Sequence, residues 1–423
     1  MSILHVGPLP EDEGMVSMHV RRGVGILIGA LGVGLFGWAL VRGFLTAVGT
    51  PHPTAALPVI KPGHPAVHPV LQWVEMTSRQ HGWSLNRGDR LLVTWNEGHT
   101  WYRTPAVDVA NGPSNAWNAT HVQGFYALDA RDAWVSTWVR NGFYRTTNGG
   151  RTWVKLQAPG AGWLDFLTPK RGWMLTEGGV AMGTYPSDLY DTIDGGAHWH
   201  LVASTFSTHP KTSRPMLPPN LKTGLTFQSP THGWIASVNS YYYGSQPSPV
   251  LSRTTNRGHS WTWASLPREP GTGSPIGNPP EFFPATGRHG LIPLVSSPFT
   301  PSTHLAQTRH VVWYQTNDRG IHWERVGQIM QPTARHSRGL DISFISASHG
   351  WILWAQGRHL WHTRNGGRTW TTWTIETPKH PGVHLAGIDF LTAFYGWAVS
   401  IHGQLWSTAD GGKIWTPVAF LSR

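Results

Sequence analysis

The pattern Ser/Thr-x-Asp/Asn-x-Gly-x-x-Trp can be read seven times, at Thr94–Trp101, Thr146–Trp153, Thr192–Trp199, Thr254–Trp261, Thr316–Trp323, Thr363–Trp370 and Thr408–Trp415. A repeat of this kind constrains the fold more than any single residue does. Its chemistry is that of a tight turn between two strands. The Asn or Asp takes up backbone N–H groups of its own turn, and the glycine supplies a positive φ that a residue with a Cβ resists. The flanking Thr and Trp have strand propensity. The indole is too large and apolar to leave in water at every repeat, so it is expected to pack between neighbouring units. Asn96, Asn148, Asp194, Asn256, Asp318, Asn365 and Asp410 are accordingly structural turn-formers rather than catalytic groups.

A second motif precedes each turn: an apolar strand, a short polar loop, then Gly-Trp opening another apolar strand. Val74–Trp83, Leu164–Trp173, Leu225–Trp234, Ile342–Trp351 and Ile388–Trp397 show it. Two copies are degenerate, Ala133-Trp134 lacking the glycine and Gly290-Leu291 lacking the tryptophan. One unit therefore reads strand A, polar loop, strand B, loop, strand C, Asp-box turn, strand D. The turn tryptophans recur at a mean spacing of about 52 residues, and four-stranded antiparallel units of that length repeated radially make a β-propeller. The expected fold is all-β, a seven-bladed propeller over residues 68–423.

The seven octets resemble the BNR or Asp-box repeats of sialidases, sortilin-type receptors and several glycoside hydrolases. The coupled pattern of Gly-Trp followed by T-x-D-G-G-x-x-W is most similar to the photosystem II stability and assembly factor family and its relatives in non-photosynthetic bacteria. The resemblance covers the body from residue 68 onward. It implies a propeller whose Asp boxes lie on the periphery, away from any binding or catalytic site, and a scaffold or assembly role for a membrane protein complex.

Residues 23–40 form an uncharged apolar run just long enough to span a bilayer, extendable to residue 48. Arg21 and Arg22 precede it, so the positive-inside rule places the N-terminus in the cytoplasm and the propeller outside. The expected layout is a cytoplasmic N-terminus (1–22), a single-pass transmembrane helix (23–48), a Pro/His-rich linker (49–67) and the extracytoplasmic propeller (68–423). The chain has no cysteine, which removes disulfides, thiol catalysis and zinc–thiolate sites. Lys and Arg total 33 against 22 Asp and Glu, without charge runs, which favours an acidic partner or surface but not a dedicated nucleic-acid binder.

Propeller topology places the boxes and the short A-to-B loops on one face, and the B-to-C loops and inter-blade connections on the other. All the long insertions, residues 176–186, 205–223, 239–249, 266–286 and 296–308, fall on the second face. They carry Tyr185, Tyr241, Tyr242, Tyr243, Phe282, Phe283 and Phe299, aromatics suited to a protein or glycan contact. Asp165 and Asp389 occupy equivalent places eight residues before the Gly-Trp tryptophan and are expected to face the axis. Catalysis has weaker footing. Tyr102-Arg103-Thr104-Pro105 superficially resembles a sialidase signature but follows a box instead of preceding the boxes, and has Thr where Ile belongs. Glu177, Asp188 and Asp191 keep a glycoside hydrolase open as the alternative. His198 and His200 alternate on one strand, but two imidazoles alone make no metal site. The expected function is a protein-binding scaffold without cofactor or metal, acting through the loop-rich face on a protein partner; a glycan is the alternative ligand.

Overall fold

The computed structural model of the protein describes residues 63–423 except 87–89, 105–121, 138–141, 178–185, 206–216, 218–220, 239–250, 265, 268–275, 278, 284–286, 297–308, 332–340, 354–357, 379 and 421–423, together with Ser17–His19 and Val59–Ile60. The transmembrane helix expected at 23–48 and most of the linker lie outside the described residues. Among those described, no helix is long and apolar enough to cross a membrane.

Seven antiparallel sheets, each with four blade strands drawn from one contiguous stretch, form the expected seven-bladed propeller. The last blade is the plainest: strand A Leu385–Phe390, B Gly396–Ser400, C Leu405–Thr408 and D Thr416–Pro417. Innermost strands of blades 1 to 4 are Leu71–Met76, Val122–Ala127, Gly162–Phe166 and Leu221–Phe227. Blade 5 splits this strand into Ile276–Gly277 and Glu281–Phe282, and blade 6 uses Asp341–Phe344. Two short segments add to the blades. Ser17–His19 pairs in parallel with the inner strand of blade 6, and Val59–Ile60 pairs with the outer strand of blade 2. The chain then follows the outer edge of blade 1, where Gly63 N–H donates to Arg103 O at 2.8 Å and Ala66 N–H to Trp101 O at 2.7 Å.

The hydrophobic core lies between blades. Each of seven buried clusters is shared by two neighbours, from the blade 1–2 seam around Trp83 and Phe125 to the 7–1 seam around Trp397 and Trp101. A flat four-stranded sheet has two apolar faces and no core of its own, so it is stable only with a neighbour on each side. At several seams the strand-B tryptophan stacks on the strand-A phenylalanine of the next blade. Trp134 on Phe166 and Trp173 on Phe227 have ring centroids 3.7 Å apart and interplanar angles of 4° and 1°, and Trp351 on Phe390 lies at 3.8 Å and 4°.

That phenylalanine also explains the glycine of the Gly-Trp motif. Phe166 pairs across the sheet with Gly172, and a Cβ on Gly172 would stand 2.3 Å from the ring. Blade 2 shows the complementary case: Ala127 occupies the phenylalanine position and its partner is Ala133, the motif's missing glycine. A smaller ring-side residue leaves room for a methyl. In blade 5, Leu291 replaces the tryptophan, and Trp313 on strand C fills the seam, packing against Phe344 and Trp370 at 5.8 and 5.5 Å.

The Asp box closes as its chemistry requires. Thr363 Oγ1 donates to Asn365 Oδ1 at 3.0 Å and accepts the Gly367 N–H at 2.8 Å, while Asn365 Oδ1 accepts the Thr369 N–H at 2.9 Å. The fifth-position glycines have φ between 77° and 99°. The preceding residue is also left-handed, and in three boxes it is not glycine: Glu97, Arg257 and Arg319, at φ 61°, 66° and 65°. Its N–H donates to a carbonyl of the same blade's A-to-B loop, as from Gly366 to Ser348 at 2.9 Å and from Arg319 to Arg288 at 3.0 Å. Boxes and A-to-B loops are thus tied into one face. The box tryptophans pack at the seams as expected, Trp101, Trp153 and Trp415 being at most 1% exposed, whereas Trp370 is half-buried.

Replacing Trp351, fully buried and stacked on Phe390, with Ala is expected to cost about 3–5 kcal/mol, and replacing the half-buried Trp370 less. Denaturant titration of both variants measures the order; equal losses would contradict seam stacking as the dominant contact.

Candidate functional site

The face opposite the boxes carries a cleft at the seam of blades 6 and 7. It holds about 220 Å³ and is lined by His380 to His384, from the connection between the blades, and by Ser400, Ile401, His402 and Gln404 in the B-to-C loop of blade 7. The backbone builds it locally. Thr377 Oγ1 donates to His380 O at 2.8 Å, and the Ser400 hydroxyl accepts the N–H groups of His402 and Gln404 at 3.3 and 3.1 Å. Gly403, at φ 77°, then lets its carbonyl accept the Leu71 N–H at 2.9 Å, so the loop grips the first strand of blade 1. His380 packs edge-on against buried Trp406 at 5.6 Å, and Arg358 of the neighbouring B-to-C loop reaches His384 Nε2 at 3.5 Å. The cleft is a concave surface rich in imidazoles with one guanidinium beside it. The hydrogen-bonding imidazoles and the Arg358 guanidinium fit carbonyl oxygens and carboxylates of an extended segment. Among the described residues, no group of three or more His, Asp or Glu is arranged to hold a metal ion.

The structure reassigns several residues singled out above. Asp165 and Asp389 are buried and accept backbone N–H groups of the next blade: Phe227 N–H to Asp165 Oδ2 at 2.5 Å and Met76 N–H to Asp389 Oδ2 at 2.6 Å. They do not present free carboxylates to the axis. The same position in other blades performs the same stitch, with the Phe390 N–H donating to Ser343 Oγ at 2.9 Å and Tyr126 OH donating to Phe166 O at 2.8 Å. Asp389 is the stitch that joins the last blade to the first. Phe282 and Phe283, expected in an exposed insertion, are 7% and 8% exposed. Phe282 pairs with Gly290 and packs on Trp234 at 4.5 Å, as the strand-A phenylalanine of blade 5. Sequence spacing hid this, because the A-to-B loop of blade 5 is longer than in other blades.

Glu177 closes strand B of blade 3; Tyr185, Tyr241, Tyr242, Tyr243 and Phe299 lie outside the described residues. Asp188 and Asp191 are three apart on strand C of blade 3 and project to opposite sides of it. His198 and His200 are drawn to different aspartates. His198 Nδ1 meets Asp194 at 2.6 Å within the box, and His200 Nδ1 lies 3.7 Å from Asp191. Burial works to raise the Asp194 carboxyl, but the His198 backbone and imidazole and the Thr192 hydroxyl hold it down at about 2. Asp318 is held at about 2 by the equivalent His322 and Thr316 contacts against the same opposing burial. The histidines of the cleft had no motif to announce them; their signal was the Pro- and His-bearing connection before the last blade.

Fold and repeats define an Asp-box β-propeller. Within it, residues 316–423, from the box of blade 5 to the end, match the sequence profile of the photosynthesis system II assembly factor YCF48. The cleft lies inside the matched stretch. Solved structures with a similar fold include YCF48 bound to D1 peptide, at 14% identity over 85% of this chain and 98% of that one with a TM-score of 0.48. YCF48 from Cyanidioschyzon merolae is 17% identical over 83% and 99%, TM-score 0.49. An ancestral GH74 enzyme is 14% identical over 86% of this chain and 48% of that one, TM-score 0.49. Comparison with curated proteins returns no match.

Two expectations test this account. Asp389→Ala removes the stitch across the closing seam and leaves a buried N–H unpaired, at a cost of about 1–3 kcal/mol, while Asp389→Asn keeps an acceptor and most of the stability; thermal unfolding of both discriminates the stitch from an axial ligand group. His362, stacked on Trp351 at 4.9 Å, is held down at about 4, first by burial and then by Arg364 and His349. The unfolded imidazole takes its proton near the ordinary value of about 6.5, so the unfolded state binds more protons between the two values. This contribution to stability is complete above that window and is lost as pH falls from about 6.5 to 4. Denaturant midpoints across that range should decline, and His362→Phe should flatten the decline.

Proposed function

We propose that this chain is a protein-binding scaffold, an assembly factor for a membrane complex, which engages its partner through the face opposite the boxes. One observation carries the proposal. The stretch that matches the assembly-factor profile contains the whole of the blade 6–7 cleft, on the face where the connections are long. The partner is read as an extended polypeptide segment whose carbonyls or carboxylates meet His380, His384, His402 and Arg358. That one neighbour of similar fold is described as bound to a peptide is a property of that neighbour. Stability resides mainly in the seams and box face, so the irregular connections on this face, apart from the Gly403 loop that meets Leu71, are freer to vary.

Membrane attachment through residues 23–48, with the propeller outside, completes the proposal. In that arrangement Ser17–His19 sits across the bilayer from the propeller. Its pairing with blade 6 and the anchored form therefore exclude each other, and the anchored form leaves the inner edge of Asp341–Phe344 open. A glycan ligand is the alternative, and its candidate carboxylates Asp188 and Asp191 face opposite ways along one strand.

The test is a crosslinked pull-down from membranes with the full chain and a His380→Ala/His402→Ala variant. The native chain should recover a membrane protein complex and the variant should recover much less, with an unchanged melting temperature. Equal recovery, or glycan turnover that vanishes in Glu177→Gln, would sink the proposal.

A further inference from the structure

Basic residues that look scattered along the sequence converge on the box face. The repeat places A-to-B loops and boxes of every blade side by side, so residues about one blade length apart in sequence become neighbours around a ring. Arg131 and Lys170 stand in the A-to-B loops of blades 2 and 3. Arg257, Arg319, Arg364 and Lys413 stand in the boxes of blades 4 to 7, and all six side chains are exposed. Most carboxylates on the same face are turned to internal work, and the partly exposed Glu97 in the blade 1 box is paired with Arg79 at 3.7 Å. Asp194, Asp318 and Asp410 accept N–H groups of their own boxes, and Asp132 holds Arg145 at 3.2 Å. The exposed, unengaged charges of these turns are therefore predominantly positive.

The same turns carry large apolar side chains to the surface. Ile193, Ile321 and Ile414 lie in the boxes of blades 3, 5 and 7 and are 55%, 57% and 42% exposed. Phe394, in the A-to-B loop of blade 7, is 64% exposed. A nucleic acid accounts for the cations but gives these apolar side chains no partner, and an acidic protein would have to bring an apolar patch placed beside its carboxylates. An interfacial lipid surface accounts for both, since it offers negative headgroups to Lys and Arg and an acyl boundary to side chains that protrude beside them.

We propose that the box face rests on a bilayer surface containing anionic phospholipid, with Ile193, Ile321, Phe394 and Ile414 at the acyl boundary and the ring of cations at the headgroups. The propeller then lies flat, and the cleft face points away from the bilayer. The contact does not depend on which ligand the opposite face takes.

The chain has no cysteine, so one introduced cysteine gives a unique label in the full-length protein. Ile321→Cys and His402→Cys, on opposite faces, are labelled with a polarity-sensitive fluorophore and mixed with vesicles of phosphatidylcholine alone or with phosphatidylglycerol. The label at 321 should shift to the blue on the anionic vesicles only, and the shift should disappear near about 0.5 M salt, where the Debye length falls to a few ångströms. The label at 402 should not respond. Arg257→Gln combined with Arg319→Gln should weaken the vesicle titration about tenfold or more, since each such charge near an anionic surface contributes on the order of 1 kcal/mol. Insertion of the apolar run at 23–40 affects both vesicle types and does not report at 321. A silent label at 321, an equal response at 402, or an equal response on neutral vesicles overturns the proposal. A response at 321 to an oligonucleotide or acidic protein but not to vesicles overturns it in favour of those partners.

Discussion

The blades depend on aromatic packing across their seams. A four-stranded sheet with two apolar faces is unstable alone, and here the faces are covered across the seams, at several of them by the strand-B indole of one blade against the strand-A ring of the next. The near-parallel stacks of Trp134 on Phe166, Trp173 on Phe227 and Trp351 on Phe390 set the spacing between sheets. The glycine paired with each phenylalanine lets strand B lie against the ring. Hydrogen bonds then fix the register that stacking leaves free. The Trp134 and Trp351 indole N–H groups each donate at 2.9 Å to a box carbonyl of the next blade, and Asp165, Ser343 and Asp389 hold the next inner strand. Because each blade is one contiguous stretch, the closing seam has no exchanged strand among the described residues; Asp389, the Gly403 carbonyl and the cluster around Trp397 and Trp101 join the ends.

The architecture was legible because it is written in turns. A box needs Asn or Asp, a glycine at left-handed φ and a terminal Trp, and all seven copies carry those residues, so blade count, strand order and the division into two faces follow from sequence. What was not legible depends on packing across seams. Phe282 looked like part of an insertion because the loop after it is longer than its counterparts, although its pairing with Gly290 makes it the strand-A ring. Asp165 and Asp389 were correctly seen to be equivalent, but an aspartate aimed at an axis and one aimed at the adjacent backbone have the same sequence signature. The degeneracies of Ala133 and Leu291 looked like decay of the repeat; Ala127 and Trp313 show each to be matched by a compensating residue across the sheet.

The candidate site was less legible than the fold for a different reason. A cleft made from an inter-blade connection and the loop of the following blade has no motif, since its residues come from the parts of the repeat free to vary. Histidines such as His380 and His402 are unremarkable in a chain with 24 of them until the fold sets them around one concavity. The sequence signal available was negative: these are the places where the repeat stops repeating.

A radial repeat also changes how charge must be read. In a helix or a linear tail, a basic surface appears as a run of Lys and Arg, and its absence argues against a binding face. In a propeller the neighbours on a face are one repeat apart, so a dispersed excess of cations becomes a surface when the cations occupy equivalent turns. The same turns use their carboxylates to close the boxes, which removes acidic groups from the outward field without removing them from the composition. Net charge alone therefore understates the polarity of this molecule. On the box face, regularity sets exposed cations in the turns of successive blades side by side. Stability resides chiefly in the seams, and the turns that close the boxes also set the exposed charge of one face.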